Sequence, residues 1–162
     1  MITRAAKWER SLAAQNMDNS SITFETIRDP DGDLQEFLWE RLREASNPKL
    51  SDERAKEHHA LSILARENGE IVVGMLAIVY FRGMNLQCLW VREDQRGKKL
   101  GSAFLEQAEK AARSLDCTLI HGHTFSFQAP DFYLKAGFEV FGTIEDYPPG
   151  KNCFFLRKYL QK

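Results

Sequence analysis

Apolar and polar positions repeat with two different periods along this chain, and the switches between them mark its elements. Ser21 to Ile27 alternates Ile22, Phe24 and Thr26 against Thr23, Glu25 and Ile27, which predicts a first strand. Asp29-Pro30-Asp31-Gly32 is a turn cluster, after which Asp33 offers an N-cap with Glu36 three residues on as a capping box. Leu34, Phe37, Leu38, Leu42 and Ala45 follow at helical spacing, and Pro48 lies just past their end. A more polar helix is expected from Ser51 to His58. Two strand-like runs, Ala60 to Arg66 and Ile71 to Phe81, flank Asn68-Gly69, the strongest short hairpin signal. After Arg82-Gly83 a further strand is expected from Asn85 to Arg92. Leu100, Phe104, Ala108, Ala111, Ala112 and Leu115 make one face of a long helix. Thr118 to Thr124 reads as a strand, and Pro130 suits the first turn of a short helix through Lys135 that Gly137 ends. Phe138 to Ile144 and Asn152 to Tyr159 are the last two strands, joined by a loop containing Pro148-Pro149-Gly150.

That order predicts an α/β (α+β) fold: a mixed, mostly antiparallel central sheet of about 6–7 strands with helices on both faces. Residues 1–20 stand apart, with a short helix over Ala5 to Ala14 and a polar linker from Gln15 to Ser21. The expected division is therefore an N-terminal extension over 1–20 and one domain over 21–162. A chain of 162 residues buries a core without help from disulfides or metals. Its cysteines, Cys88, Cys117 and Cys153, are odd in number and form no CxxC, which argues against a disulfide framework or a cysteine zinc site. A reducing, cytoplasmic location is expected, and no metal. The formal net charge of -1 gives no broad field for nucleic acid or an acidic membrane. No apolar run approaches the roughly 18 residues of a membrane span.

The chemistry is concentrated in Leu89-Trp90-Val91-Arg92-Glu93-Asp94-Gln95-Arg96-Gly97-Lys98-Lys99-Leu100-Gly101-Ser102. An apolar strand end runs into a turn with glycines and bases, and then into a helix start. N–H groups at a helix start have no internal partner, and the dipole adds about half a positive charge there. Gly97 and Gly101 allow close backbone approach, while Arg96, Lys98 and Lys99 add mobile charge. The ligand this suits best is a pyrophosphate; an ordinary basic turn before a helix has the same local look. The stretch is neither GxxxxGK[ST] nor GxGxxG.

Arg96-Gly97-Lys98-Lys99-Leu100-Gly101 resembles the acetyl-CoA pyrophosphate loop of the GNAT superfamily of N-acetyltransferases, Q/R-x-x-G-x-G/A. Arg96 matches the first position and Gly101 the last, while Lys99 stands where the middle glycine is usual. Downstream, Phe132-Tyr133-Leu134-Lys135-Ala136-Gly137-Phe138 resembles the family's Y-x-K-x-G-F signature. The resemblance covers roughly Ile22 to Leu160. It implies the GNAT-like acyl-CoA N-acyltransferase fold, acetyl-CoA as co-substrate, and transfer of acetyl to a primary amine. Leu89, Trp90 and Val91 then match the strand that pairs with the pantetheine arm, and Arg96, Gly97, Lys98, Lys99, Leu100, Gly101 and Ser102 the pyrophosphate site. Tyr133 matches the tyrosine that often protonates the departing thiolate. The central strands that splay around the cofactor should be Asn85–Arg92 and Thr118–Thr124.

Attack by an amine requires its neutral form. A lysine-like amine with a pKa of about 10.4 lies about 3.4 units from neutrality at pH 7, a cost of about 4.6 kcal/mol. His121 and His123 share one face of a strand, and either suits a base or proton relay, His123 being nearer the strand's end. Tyr133 suits the general acid, and Gln128, with Ser126, the acetyl pocket. Glu145, Asp146 and Tyr147 form an acidic, aromatic turn that would bind a cationic acceptor. The acceptor is expected to be a small-molecule or protein amine, with no nucleic acid and no membrane, and a homodimer is compatible with the sequence. Competing readings are a CoA-binding regulatory module without turnover, a Cys88/His123 hydrolase, and an interaction domain that docks through its N-terminal arm.

Overall fold

The computed structural model describes residues 15–16 and 23–160; the helix expected over Ala5 to Ala14 lies outside them. Contacts divide the chain into two compact units, one ending at Pro48 and the other beginning at Lys49. In the first, β1 (Gln15–Asn16) pairs antiparallel with β2 (Thr23–Phe24). Of the strand expected over Ser21 to Ile27, Thr23–Phe24 form a strand in a separate two-stranded sheet and residues 25–27 do not; Ser21 and Ile22 lie outside the described residues. The chain turns at Asp29, with φ +52°, into α1 (Gly32–Ser46). Asp31, not Asp33, caps this helix: its backbone is extended, and its Oδ1 accepts from Leu34 N at 3.0 Å. Asp33 falls in the first turn, where a negative charge favours the helix dipole.

The second unit begins with one short 3-10 turn, Glu53–Lys56, where a longer helix over Ser51 to His58 was expected. Asp52 caps it, and the chain is extended again by Glu57, so His59 already belongs to the sheet. β3 (His59–Glu67), β4 (Glu70–Tyr80) and β5 (Gly83–Val91) form an antiparallel ladder. Asn68 and Gly69 both take positive φ in the first hairpin, as a tight two-residue turn requires. Phe81 and Arg82 do the same in the second, without a glycine. Arg82 is held there by its Nε donating to Asp116 O at 3.0 Å and its Nη1 to Asp52 Oδ2 at 3.1 Å.

The remaining elements are α2 (Leu100–Ser114), β6 (Leu119–Phe125), α3 (Pro130–Lys135), β7 (Glu139–Ile144) and β8 (Cys153–Tyr159). The sheet has six strands in the order β3-β4-β5-β6-β8-β7, and its pairs are antiparallel except β5–β6. This is the expected mixed, mostly antiparallel α/β architecture. Val73, Met75, Ala77 and Val79 alternate along β4 to one face and pack with Met84, Leu86, Ile120 and Leu156 against Phe104, Leu105, Ala108 and Ala112 of α2. Each large side chain buried in this way stabilises the fold by about 1.5–3 kcal/mol. Among the described residues no helix is long and apolar enough to cross a membrane.

The parallel pair β5–β6 is short. It runs from Gly83↔Leu119 to Leu86↔Gly122 and stops there, although β5 continues to Val91 and β6 to Phe125. One feature accounts for the parting, and a second for the close contact just before it. The β4–β5 register passes from Leu76↔Cys88 to Ala77↔Leu86, so Gln87 is an extra residue that bulges β5 and sharpens its twist. At the last paired position, a Cβ on Gly122 would stand 2.9 Å from Leu86 O. Glycine lets the strands meet there. Beyond it β5 stays with β4, β6 stays with β8 as far as Phe125↔Cys153, and a wedge opens between them.

Gly122→Ala should therefore destabilise the protein by about 1–3 kcal/mol, as overpacking does, and lower its denaturation midpoint. Gly142→Ala is the control, because its Cβ would meet nothing nearer than 3.8 Å, and it should be close to neutral.

Candidate active site

The wedge is the mouth of a cleft of about 810 Å³. Leu89, Trp90 and Val91 line it from β5, Arg96, Gly97, Lys99, Leu100, Gly101 and Ser102 from the loop and the start of α2, and His123, Gln128 and Tyr133 from β6 and the segment after it. The edge of β5 that faces the wedge has no strand partner beyond Leu86, so its backbone groups, apart from the Val91 carbonyl that Arg96 meets, are open to a ligand.

The loop into α2 is wound to present its N–H groups. Gly97 and Lys99 both have positive φ, +76° and +61°, on either side of Lys98. Lys99 is the N-cap of α2, and no side chain caps the first turn. Anchorage comes from behind. Arg92 donates to Glu67 at 2.7 Å and to both oxygens of Asp94 at 2.6 and 2.8 Å, and its guanidinium holds the Asp94 carboxyl below the usual carboxylate range. Gln95, which is buried, donates to Glu67 and accepts from Lys98 Nζ at 3.0 Å. Lys98 is thereby turned onto the brace and does not line the cleft, unlike the other residues expected of this loop. Arg96 folds back, its Nε donating to Val91 O at 3.3 Å. Gly101 has a second role: a Cβ there would sit 3.1 Å from the ring of Phe132, so the starts of α2 and α3 meet through it.

Tyr133 lies on α3, its ring edge-on to Phe132 at 5.1 Å and to Phe138 at 5.7 Å. Burial pushes the phenol pKa above its ordinary value, and Cys88, also on the cleft, adds to the rise. Gln128 Oε1 accepts from Phe125 N at 3.0 Å and from the buried Thr124 hydroxyl at 3.3 Å, which ties the turn to the end of β6. The two histidines part company. His123 lies one residue past the last β5–β6 pair and lines the cleft. His121 lies within the paired zone opposite Asn85, edge-on to Tyr80 at 6.3 Å, and does not line it. Burial pushes the His121 pKa down.

Glu145 and Asp146 do not line the cleft. Asp146 Oδ1 accepts from Gly150 N at 2.6 Å, so its carboxylate is engaged in closing its own loop. Tyr147 approaches the cleft wall through Phe125, with ring centroids 5.8 Å apart. The hydroxyl of Ser126 accepts from Asn152 N at 3.2 Å and braces the same loop. Sequence reasoning missed Gln95, Phe125 and Phe127. The run Phe125-Ser126-Phe127 at a strand end was the available signal for the last two.

The profile of the acetyltransferase (GNAT) family matches residues 31–138. A blasticidin-S acetyltransferase from Streptomyces morookaense is 37% identical over 95 residues, which are 58% of this chain and 70% of that one. The crystal structure of an acetyltransferase from Bacillus cereus superposes with a TM-score of 0.72 at 31% identity, over 84% of this chain and 98% of that chain. A Bacillus anthracis structure in complex with acetyl coenzyme A has the same fold, with a TM-score of 0.57 at 15% identity over 63% of this chain and 64% of that chain.

A left-handed residue with a Cβ is strained by about 1–2 kcal/mol where glycine is not. Lys99→Gly should therefore be more stable than Lys99→Ala by about 1 kcal/mol, while both lose acetyl-CoA affinity alike because both lose the charge; denaturant titration and calorimetry check the two halves. His121 supplies a pH dependence. The unfolded chain protonates it near pH 6.5, at about the ordinary imidazole value, whereas the folded chain resists. Its contribution to stability is complete above that pH and falls as pH drops below it. Denaturation midpoints compared above and below that value should show a smaller acid-side loss in His121→Gln.

Proposed function

The chain belongs to the acetyltransferase (GNAT) family, enzymes that draw their acetyl group from acetyl-CoA, and on that footing we propose that it delivers the group to a primary amine by direct attack, with Tyr133 as general acid. The observation that carries this reading is that one cleft joins an uncapped helix start, an unpaired strand edge and a partly buried tyrosine. These three suit the pyrophosphate, the amide-bearing arm and the sulfur of one extended thioester. Bound acetyl-CoA supplies an activated acyl group.

The chain's own residues do the rest. The first-turn N–H groups of α2, with Arg96 and Lys99, hold the diphosphate, which favours the positive end of a helix. The free edge of β5 from Leu89 to Val91 pairs with the amide-bearing arm and fixes its direction. Fixing the reacting atoms in this way removes much of the entropic barrier to reaction. His123 takes the proton of the amine, directly or through water. Tyr133, a phenol protonated at neutral pH whose pKa desolvation raises further, donates to the departing sulfur. The relative that is most informative about acceptors is a blasticidin-S acetyltransferase, and a small amine-bearing molecule is the acceptor class we favour.

Tyr133→Phe should lower kcat by about 10²–10⁴ and leave acetyl-CoA affinity nearly unchanged. With the phenol pKa raised, the alkaline fall in kcat due to its ionisation should lie above the ordinary phenol value in the wild type and vanish in the variant. Stopped-time thiol release across pH checks both; an unaltered kcat would leave Tyr133 as packing alone.

A further inference from the structure

Aromatic rings crowd one end of the cleft without the burial that would explain them. Phe125 and Phe127 both line it, and their rings stack with centroids 5.3 Å apart and planes 16° from parallel. Tyr147 flanks Phe125 at 5.8 Å. Yet Phe127 is 55% exposed and Tyr147 54% exposed. A ring in the core is stabilised by leaving water, and a ring half in water gains little of that. Their backbones are nonetheless firmly held. Gln128 Oε1 accepts from Phe125 N, Ser126 exchanges two hydrogen bonds with Asn152, and Tyr147 N donates to Lys151 O at 2.8 Å. Exposed rings on a braced backbone are preorganised for a ligand, because little freedom remains to be lost on binding.

We propose that Phe125, Phe127 and Tyr147 form the acceptor subsite, and that the acceptor carries a flat π-system beside its amine, as an arylalkyl or heteroaromatic amine does. This deepens the acetyl-transfer reading of the same cleft and rests on it. The stacked pair already has the offset geometry that aromatic rings prefer, and the exposed ring of Phe127 continues the stack with one more flat partner. An aliphatic chain gains only contact area there. His123 lies edge-on to Phe125 at 5.8 Å and lines the same cleft as the stacked pair. The platform is continuous with the cleft and with the residue that takes the proton.

The test compares phenethylamine with cyclohexylethylamine, which share an amine, a linker and a carbon count. Binding to the CoA-saturated protein is measured by calorimetry and turnover by thiol release, in the wild type and in Phe127→Leu and Tyr147→Leu. The aryl amine should bind about three- to tenfold more tightly in the wild type, the worth of one aromatic pair. Phe127→Leu, which keeps an apolar side chain and removes the ring, should abolish that preference. The ratio cancels the difference in amine basicity, and a partial loss of fold weakens both amines together without creating or removing it. Equal affinities in the wild type overturn the proposal, as does a preference that survives both variants or a protein that binds neither amine. A dimer that Phe127→Leu converts to monomer in light scattering also overturns it, since the rings would then cover a second copy. Failure of the acetyl-transfer reading looks different: the aryl preference in binding stands, and no thiol is released.

Discussion

Everything that gives this protein a site depends on two strands that stop pairing. After Leu86 and Gly122, β5 and β6 part, and each keeps its outer neighbour. The core under α2 continues into the wall of the wedge, where Leu89, Val91, Leu100, Phe132 and Tyr133 pack against it, so the open strand edge lies on well-packed layers rather than within a loose region. A single ligand-facing edge of this kind would be an aggregation hazard on the outside of a sheet. Inside the sheet, neighbouring strands and the starts of α2 and α3 protect it, and a narrow, extended ligand is what fits.

The loop that caps the wedge shows how strain is accommodated. Lys99 holds a left-handed conformation that glycine would hold without strain, and the Glu67–Arg92–Asp94–Gln95 network braces the chain just ahead of it. The network draws partners from the β3–β4 hairpin, so a distant turn stiffens the loop that opens α2. Lys98 belongs to this frame rather than to the cradle, although in sequence it is indistinguishable from Lys99. The second hairpin follows the same logic, with Phe81 and Arg82 held in a turn that neither side chain favours.

The strands, the hairpin at Asn68-Gly69, the long helix and the helix Pro130–Lys135 were legible because local periodicity and turn chemistry agree there. The lining of the candidate cleft was legible where it is contiguous, from Leu89 to Ser102 and around Tyr133. What local pattern does not carry is partnership. Ser21 to Ile27 alternates well, yet among its described residues the strand ends at Phe24, in the small sheet with Gln15–Asn16. Two aspartates competed for one cap, and the backbone at Asp31 decided. His121 and His123 look equivalent until the end of the β5–β6 pairing separates them. Asp146 looks like a free carboxylate until Gly150 occupies it. Phe125 and Phe127 went unread because exposure is not written in a side chain's type.

The bulge at Gln87 has one more consequence, which concerns counting. Before it, Met84 and Leu86 face the same side as Val79 and Ala77; after it, Leu89 and Val91 face the side of Met75 and Val73. The inward positions change from even to odd numbers, and Cys88 and Trp90 are left exposed. The exposed side chain of Gln87 contributes little to this; its presence as one unit of length sets the phase of the whole strand end. The architecture of the cleft is therefore written as an integer. Substituting Gln87 leaves that phase in place, whereas removing it shifts the register by one and turns Leu89 and Val91 to the opposite face.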